Sequence, residues 1–451
     1  NPFKEFHIGH LMSNAIGEAI SRIVEFSGAH VKRANYQGDV GLHVAKAIWG
    51  MEQSGADVNT MLITKSTKEH PAVWLGKWYA LGSEAYEKDE ETKKTINRIN
   101  ELLYKIIAGQ KTNDAREGLI SNYYRAGREM SLAYFDIIYK RLGTHFDEYF
   151  FESDAGPRGS AIVAKGVEKN IFEKSDGAIV YRGGKKGLHT RVFISSAGLP
   201  TYEAKELGLA FTKQERWPHD ISFVITANEI KEYFRVVMAA LSEIDEGLAR
   251  KIVHVPHGFL RLKSGKMSSR TGEVIRAEDV LDKAKEKLRE KTNDEAIAEA
   301  AAVGAVKYSI LRQSAGKDII FDFNTSLSFE GDSGPYLQYT HARARSVLEK
   351  SKKSLGGSAI APLQNFSYAL HAVERFLFWF PDAVTEALNA RDPHYIATYL
   401  FDLAQAFNAF YAKERVLDTD DEKYKLALTA AVATTLKNGL RLLGIYSPEH
   451  M

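Results

Sequence analysis

The first pattern that could carry chemistry is a pair of histidines near the start of the chain. His7 and His10 flank Ile8 and Gly9 in NPFKEFHIGH, just before the helical pattern LMSNAIGEAISRIV. Such a pair can bind a metal, donate hydrogen bonds to phosphate oxygens, or form part of an ordinary polar turn. Zinc is disfavoured because the pair lacks a third ligand and the HExxH pattern. Phosphate binding is favoured because Gly9 permits close approach, and a helix beginning near Leu11 would offer free N–H groups and a positive dipole end.

A second candidate for phosphate contact lies far along the chain, in KMSSR at residues 266–270. Lys266 can neutralise a phosphate, and the hydroxyls of Ser268 and Ser269 can donate to it. The segment lies between Gly265 and Gly272, which indicates a loop. By itself, a loop rich in Ser and Lys is typically only a solvated loop, so its meaning depends on the histidine pair.

The composition limits the classes of protein to which the chain can belong. It has 451 residues, of which 44% are hydrophobic and 26% charged, values typical of a globular protein of two or three domains. There is no cysteine, which excludes disulfides, thiolate metal sites and a cysteine nucleophile and fits a reducing compartment. A net charge of +2 does not decide whether the protein binds nucleic acid, because basic patches can be balanced elsewhere.

The elements that would position the two motifs follow a βαβ order. SNAIGEAISRIVEFSG predicts an amphipathic helix, and AHVKRANYQGD predicts a strand ending in a glycine turn, as in a parallel nucleotide-binding sheet. Residues 66–142 are charged and helical, which indicates an inserted helical layer. FDEYFFES, GAIVYRG, RVFISS and DISFVIT predict further strands. HVPHGFLRL predicts a short strand before the KMSSR loop, and helices dominate from residue 277 onward.

Taken together, HIGH and KMSSR resemble the HIGH and KMSKS motifs with which class I aminoacyl-tRNA synthetases bind ATP. Longer segments resemble the arginyl-tRNA synthetases along nearly the whole chain. These segments are NPFKEFHIGHLMSNAIG, NYQGDVGLHVAK, GLPTYEAKELGLA, GPYLQYTHARARSVLEK and LRLLGIYSPEHM.

This resemblance implies roles for individual residues. It assigns catalysis to His7, His10, Lys266, Ser268 and Ser269. It assigns ATP binding to His7, Gly9, His10, His254, Val255, Gly258, Lys266 and Met267. Arginine binding falls to Asn1, His10, Tyr202, Glu206 and Asn228, and tRNA binding to Tyr336, Tyr339, Arg343, Tyr411 and Met451.

The chemistry of a guanidinium substrate agrees with part of this assignment. A guanidinium is planar, always charged and rich in donors, so its site needs a carboxylate and polar or aromatic walls. Tyr202 and Glu206 are four residues apart and would share one face of a helix. The family usually has Asp in place of Glu206, and it often has Gln where this chain has Ile230.

The tRNA-binding assignment rests on aromatic residues interleaved with arginine. On a helix, Tyr336, Tyr339 and Arg343 would share a face, and exposed rings beside arginine suit unstacked bases and phosphates. The alternative is a helix packed on the catalytic domain with its basic side in water.

We therefore predict an α/β protein with a Rossmann-like parallel-sheet catalytic domain, an inserted helical segment and an all-α anticodon-binding domain. The predicted ranges are 1–276 for the catalytic domain, with the insertion at about 66–142 and the KMSKS-like loop at 264–272; 277–333 for a helical connector; and 334–451 for the anticodon-binding domain. The family's usual N-terminal domain is expected to be missing, with weaker tRNA binding as a result.

The predicted function is that of an arginine–tRNA ligase, which activates L-arginine with ATP and transfers it to tRNA(Arg). ATP is expected with Mg²⁺ and without zinc, in a cytoplasmic monomer that has no contact with a membrane. Two alternatives remain: a class I synthetase for another amino acid, which Ile230 would favour, or a tRNA-binding relative without catalysis. A hydrolytic metalloenzyme lacks the ligands it would need.

Overall fold

A computed structural model describes residues 1–57, 72–263, 275–354 and 371–451. In its first part, two parallel strands are joined through helices. The elements to residue 168 are α1 (Ile8–Phe26), β1 (Ala34–Gln37), α2 (Leu42–Gln53), α3 (Ala72–Lys88), α4 (Glu90–Ile107), α5 (Glu117–Leu142), β2 (Glu148–Phe151) and α6 (Glu152–Glu168).

The middle of the chain carries most of the strands. Its elements are β3 (Glu173–Ser175), β4 (Ala178–Tyr181), β5 (Arg191–Ile194), α7 (Tyr202–Arg216), β6 (Ser222–Ala227), α8 (Lys231–Ile244), α9 (Glu246–Lys251), β7 (Ile252–His257) and β8 (Leu260–Leu262). Short 3-10 helices cover Gly183–Lys186 and Asn228–Ile230.

Helices dominate the last part, as expected. Its elements are α10 (Ala277–Arg289), α11 (Glu295–Leu311), β9 (Ile319–Phe321), α12 (Phe323–Ser326), α13 (Gly334–Ser354), α14 (Ala372–Phe378), α15 (Phe380–Ala390), α16 (His394–Lys413) and α17 (Glu422–Leu442). The segment 277–333, expected to be a helical connector, thus also contains a strand. Three residues are too few to show a period-2 pattern in the sequence.

Parallel pairing is the main sheet arrangement. β1 pairs with β2, β6 with β7, and β8 with β9, all in parallel, while β3, β4 and β5 form an antiparallel sheet. Parallel strands need crossover connections, which the intervening helices supply. The helices that flank β1 and β6 therefore set the direction of these two strands. Both strands border the first cleft described below.

Helix α1 is central to the packing. Its apolar residues at helical spacing, among them Leu11, Ala15 and Ile23, are buried. They belong to the same buried cluster as Val306 of α11 and Leu436 of α17. The parallel-strand part and the C-terminal helices therefore share one core, with α1 between them. Within the described ranges, no helix is long and apolar enough to cross a membrane.

Candidate functional site

The two histidines of the opening motif cap α1 through their own side chains. The helix begins at Ile8 rather than near Leu11, because His7 is its N-cap with extended backbone. The His7 Nδ1 accepts the Gly9 N–H at 3.0 Å, and the His7 N–H donates to the Nδ1 of His10 at 3.4 Å. This reciprocal arrangement is a capping box that uses two imidazoles.

The same hydrogen bonds decide which ring nitrogens can face a ligand. Because each Nδ1 accepts a backbone N–H, the neutral rings of His7 and His10 carry their protons on Nε2. Burial lowers the pKa of His7 to about 4, and burial also lowers the pKa of His10 well below its usual range. The rings stack with centroids 3.7 Å apart. They form a pair of neutral Nε2–H donors, which suits phosphoryl oxygens better than a metal ion.

The structure shows a close contact at Gly9 that the sequence did not predict. A Cβ at this position would lie 2.8 Å from the Cε1 of His7 and 2.9 Å from its Nδ1. The group that approaches the backbone closely in this structure is therefore the His7 ring, folded over the first turn.

A large first cleft of about 1340 Å³ brings together three of the predicted site residues, Asn1, His10 and Glu206. Asn1 reaches the end of β1, where its Oδ1 would lie 2.8 Å from a Cβ on Gly38. Gly38 therefore leaves room for Asn1. The cleft is larger than the roughly 300–1,000 Å³ usual for small-molecule sites, because it continues along α1 between β1 and β6.

Unpaired acceptors line this cleft. Within the described ranges, the Glu206 carboxylate has no hydrogen bond or ion pair, and the buried hydroxyl of Tyr36 has no partner either. Burial raises the pKa of Glu206 to about 7; the negative Glu152 adds to this, while Lys213 opposes it. Burial and then Glu206 raise the pKa of Tyr36, so the two groups are electrostatic neighbours. A half-buried carboxyl in a cleft, with its hydrogen-bonding capacity unused, is expected where a cationic donor binds.

The second acidic group near the cleft is already neutralised. Lys205 donates to Glu152 at 2.7 Å, and both side chains are buried. Although burial opposes it, Glu152 raises the pKa of Lys205 above its usual value. Glu206, rather than Glu152, is therefore the carboxylate available to a ligand.

Two predicted arginine-site residues do not line this cleft. Tyr202 is 60% exposed, and the Nζ of Lys205 lies 5.1 Å from the centre of its ring. The amide of Asn228 donates to the Gly316 carbonyl at 3.0 Å. Tyr202 does share α7 with Glu206, as its spacing predicted, but the helix presents it to solvent.

The HVPHG segment lies at the end of β7 and is tied to α1. His257 accepts from Ser13 at 2.7 Å through Nε2 and donates through Nδ1 to the Gly258 carbonyl at 2.7 Å. His254 contacts Thr226 at 2.6 Å, and Val255 is buried. A Cβ on Gly258 would lie 2.2 Å from the Lys317 carbonyl oxygen, so close backbone packing accounts for this glycine.

The predicted residues Lys266, Met267, Ser268 and Ser269 lie outside the described residues, as does the loop 264–272. The chain that follows returns to the histidine motif. Ile8 donates its N–H to the Ile275 carbonyl at 3.0 Å, and Ala277 donates to the Phe6 carbonyl at 2.9 Å. The sequence after KMSSR is thus anchored beside His7.

A second cleft of about 600 Å³ lies among the C-terminal helices and is lined by four predicted residues, Tyr339, Arg343, Tyr411 and Met451. The Arg343 guanidinium lies 4.8 Å from the Tyr339 ring centre and 5.6 Å from that of Tyr411. Both tyrosines are more than a third exposed. Rings and arginine arranged in this way suit stacking of unpaired bases.

Tyr336 has a supporting place instead. Its hydroxyl accepts from the Asn408 amide at 2.9 Å, and Asn408 accepts from Arg343 at 2.6 Å. It therefore holds Arg343 through Asn408 rather than lining the second cleft itself.

Sequence reasoning missed Tyr36, which lines the first cleft, and Gly38, which lies beside Asn1. The available signal was their position in NYQGD at the carboxyl end of a predicted parallel strand, the edge where ligands of α/β sheets bind. In the part of the chain that the structure describes, no three His, Asp or Glu side chains gather in a way that could hold a metal.

Comparisons with known proteins agree with this arrangement. Residues 1–323 match the model of the class I tRNA synthetase (R) catalytic domain, and residues 337–451 match that of the DALR anticodon binding domain. The whole chain aligns with 79% of the arginine–tRNA ligase of Parabacteroides distasonis at 29% identity, and with 79% of that of Bacteroides fragilis at 30%. The Thermus thermophilus arginyl-tRNA synthetase structure aligns with the whole chain over 81% of its own length, with 27% identity and a TM-score of 0.78.

Proposed function

The chain belongs to the class I arginyl-tRNA synthetases, and on that premise we propose how its two clefts divide the charging of tRNA(Arg) with arginine. The activity is that of an arginine–tRNA ligase. L-Arginine reacts with ATP to give arginyl-adenylate and pyrophosphate, and the arginyl group then passes to a hydroxyl of the terminal adenosine of the tRNA with release of AMP.

The observation that carries the assignment of the first cleft is its unused acceptor capacity. Glu206 and Tyr36 are close enough to interact electrostatically, and within the described residues neither side chain has a hydrogen-bond partner. A guanidinium offers five N–H donors and a permanent charge, so it can satisfy both groups at once. Asn1, which lines the same cleft, would hold the amino acid end of the substrate.

His10 and His7 would serve the phosphates. In the activation step, the arginine carboxylate oxygen bonds to the α-phosphorus while the bond to pyrophosphate breaks, and negative charge shifts onto phosphoryl oxygens. The Nε2–H groups of the neutral rings can donate to these oxygens without transferring a proton. Catalysis then rests on positioning and on charge stabilisation, with no covalent enzyme intermediate.

The remaining parts of the ATP site stay predictions. Lys266, Ser268 and Ser269 would close on the phosphates from the opposite side, with His254, Val255 and Gly258 near the adenine. Mg²⁺ would accompany ATP and screen its phosphates. A cytoplasmic location and a monomeric state are proposed on family resemblance.

The second cleft is proposed to bind the anticodon. Tyr339 and Tyr411 offer exposed ring faces, and Arg343 lies between them with a charge that phosphates attract. Met451 completes the wall of this cleft.

ATP–pyrophosphate exchange with each of the twenty amino acids, with and without tRNA, tests the proposal. Exchange with arginine alone is expected. Exchange with a different amino acid would keep the class and overturn the substrate. Folded protein that gives no exchange with any amino acid, even with tRNA, would favour the relative without catalysis.

A further inference from the structure

Two helices from different parts of the chain end side by side against α1 and α11. Helix α5 ends at Leu142 and α17 at Leu442. Each is followed by a glycine in the left-handed region, Gly143 with φ 64° and Gly444 with φ 65°. Such endings satisfy some of the last carbonyls of a helix and leave others in need of outside donors.

Arg22 of α1 supplies one set of donors. Its guanidinium donates to the Gly143 carbonyl at 3.1 Å and to the Arg441 carbonyl at 3.0 Å, one from each helix end. Its third nitrogen donates to the buried Glu18 carboxylate at 2.6 Å. Glu18 also accepts from Arg33 at 3.1 Å, which fixes the direction of the Arg22 side chain.

Lys307 of α11 supplies the second set. It is fully buried, and its Nζ donates to the carbonyls of Leu142 at 2.5 Å and Gly444 at 2.7 Å, again one from each end. Burial, with Arg22 adding to it, lowers the pKa of Lys307 to about 7. The neutral amine still has two N–H groups, so both carbonyls keep a donor in either protonation state.

We propose that Arg22 and Lys307 together form a junction clasp: two side chains, each bonded to both helix ends, that position the C-terminal helices relative to the histidine motif. Neither residue touches the reacting groups, so both are positioning residues. The clasp joins α5 of the helical layer, α17 of the C-terminal part, α1 and α11 at one point. Positive side chains at two helix C-termini are also favoured by the helix dipoles.

Helix α1 connects the clasp directly to the histidine motif. Arg22 lies twelve residues after His10 on one continuous helix, about 18 Å along its axis. At the other side, α17 packs against α13, which carries Tyr339 and Arg343. A change at the clasp would therefore change the position of the second cleft relative to the first. Its effect on tRNA charging rests on the proposed function, whereas its effect on geometry does not.

The test uses distance measurements between two spin labels. Since the chain has no cysteine, Glu168→Cys on α6 and Lys423→Cys on α17, both exposed, give a unique label pair. Lys307→Met and Arg22→Met are compared with Arg141→Met. The control removes ion pairs from α5 to Asp282 and Glu299, of 2.6 Å each, and Arg141 makes no ion pair with α17.

We expect both clasp variants to broaden or shift the distance distribution, and the control to leave it unchanged. The rate of tRNA charging at saturating tRNA should fall roughly tenfold to a hundredfold in the clasp variants, because small misplacements of reacting groups are costly. If Lys307→Met fails to fold, Arg22→Met alone tests the clasp. Equal distributions in parent and folded clasp variants would overturn the clasp, and so would a control that broadens as much. A shifted distribution without arginine activity in the parent would keep the clasp and reject the proposed function.

Discussion

The two clefts offer a ligand opposite kinds of contact. In the first, the buried hydroxyl of Tyr36 and the carboxylate of Glu206 have no partner within the described residues, and His10 accepts a backbone hydrogen bond. In the second, Tyr339 and Tyr411 are exposed and Arg343 is already bonded through Asn408. On the proposed function, the first cleft would bind a small, charged ligand through its unpaired polar groups, whereas the second would bind flat bases on its free ring faces.

This difference predicts unequal sensitivity to substitution. An acceptor without a hydrogen-bond partner selects its ligand, because a ligand that lacks the matching donor leaves the acceptor unpaired at a cost in binding free energy. An exposed ring can stack on any base, and each such ring contributes a smaller binding free energy. Substitutions in the first cleft should therefore cost far more than substitutions in the second.

The largest effect is expected from Glu206→Gln. Losing the carboxylate that is proposed to pair with the guanidinium should lower kcat/KM for arginine by roughly a thousandfold, since removing one partner of a buried charge pair costs about 3–5 kcal/mol. Glu215→Gln on the same helix, where Glu215 is exposed and pairs with Arg158, is the matched control. A similar loss in both variants would show that α7 as a whole, and not this carboxylate, sets arginine recognition.

His7→Asn should have the next largest effect. Asn keeps a side chain able to cap α1 but removes the Nε2–H donor. Arginine-dependent pyrophosphate exchange should slow about a hundredfold, the usual cost of one lost transition-state donor. An unchanged thermal midpoint, measured by circular dichroism, separates this from a loss of the helix; an unchanged exchange rate would remove His7 from the phosphate site.

Tyr411→Leu probes the second cleft. Losing one stacking face should raise KM for tRNA about tenfold, with KM for arginine unaltered. Tyr446→Leu removes a ring of the same part of the chain that is 68% exposed and does not line the cleft. Were Tyr446→Leu to raise KM equally, the rings would act generally rather than through this cleft.

An effect similar in size to that of Tyr411→Leu, about tenfold for one pH unit, is a pH dependence confined to the first cleft. Burial raises the pKa of Glu206 to about 7 in the free protein, so below that pH the carboxyl is increasingly neutral and must lose a proton to pair with a guanidinium. The dissociation constant of arginine should rise about tenfold per pH unit below 7 and be flat above it. Calorimetric titrations at pH 5.5 to 8 would show this, and Glu206→Gln should abolish it. A flat profile in the parent protein would contradict the role of Glu206.

The sequence predicted the elements that have a clear hydrophobic period and the motifs that resemble a family. The α/β class, the helices at residues 72–142 and the C-terminal helices agree with the structure. The spacing of Tyr202 and Glu206 placed both on one helix, but not which of them would face inward. That depends on how α7 packs, which no local pattern encodes.

Other differences also have local causes. The start of α1 was placed too late because histidine is an unusual N-cap and its ring bonds cannot be inferred from periodicity. β9 was missed because it has three residues. Asn228 was assigned to the arginine site because it lies near Ile230 in the sequence. In the structure, the turn after β6 directs its amide to the Gly316 carbonyl.

The contact between His7 and Gly9 makes these two positions interdependent in sequence variation. A methyl group at position 9 would lie within 3 Å of the His7 ring, so Gly9→Ala should be harmful when position 7 is histidine and much less so once the imidazole is gone. The two substitutions are then epistatic, and their combined cost should be smaller than the sum of their separate costs. Part of the apparent constraint on the glycine in HIGH would thus be a constraint that the first histidine imposes on its own neighbour.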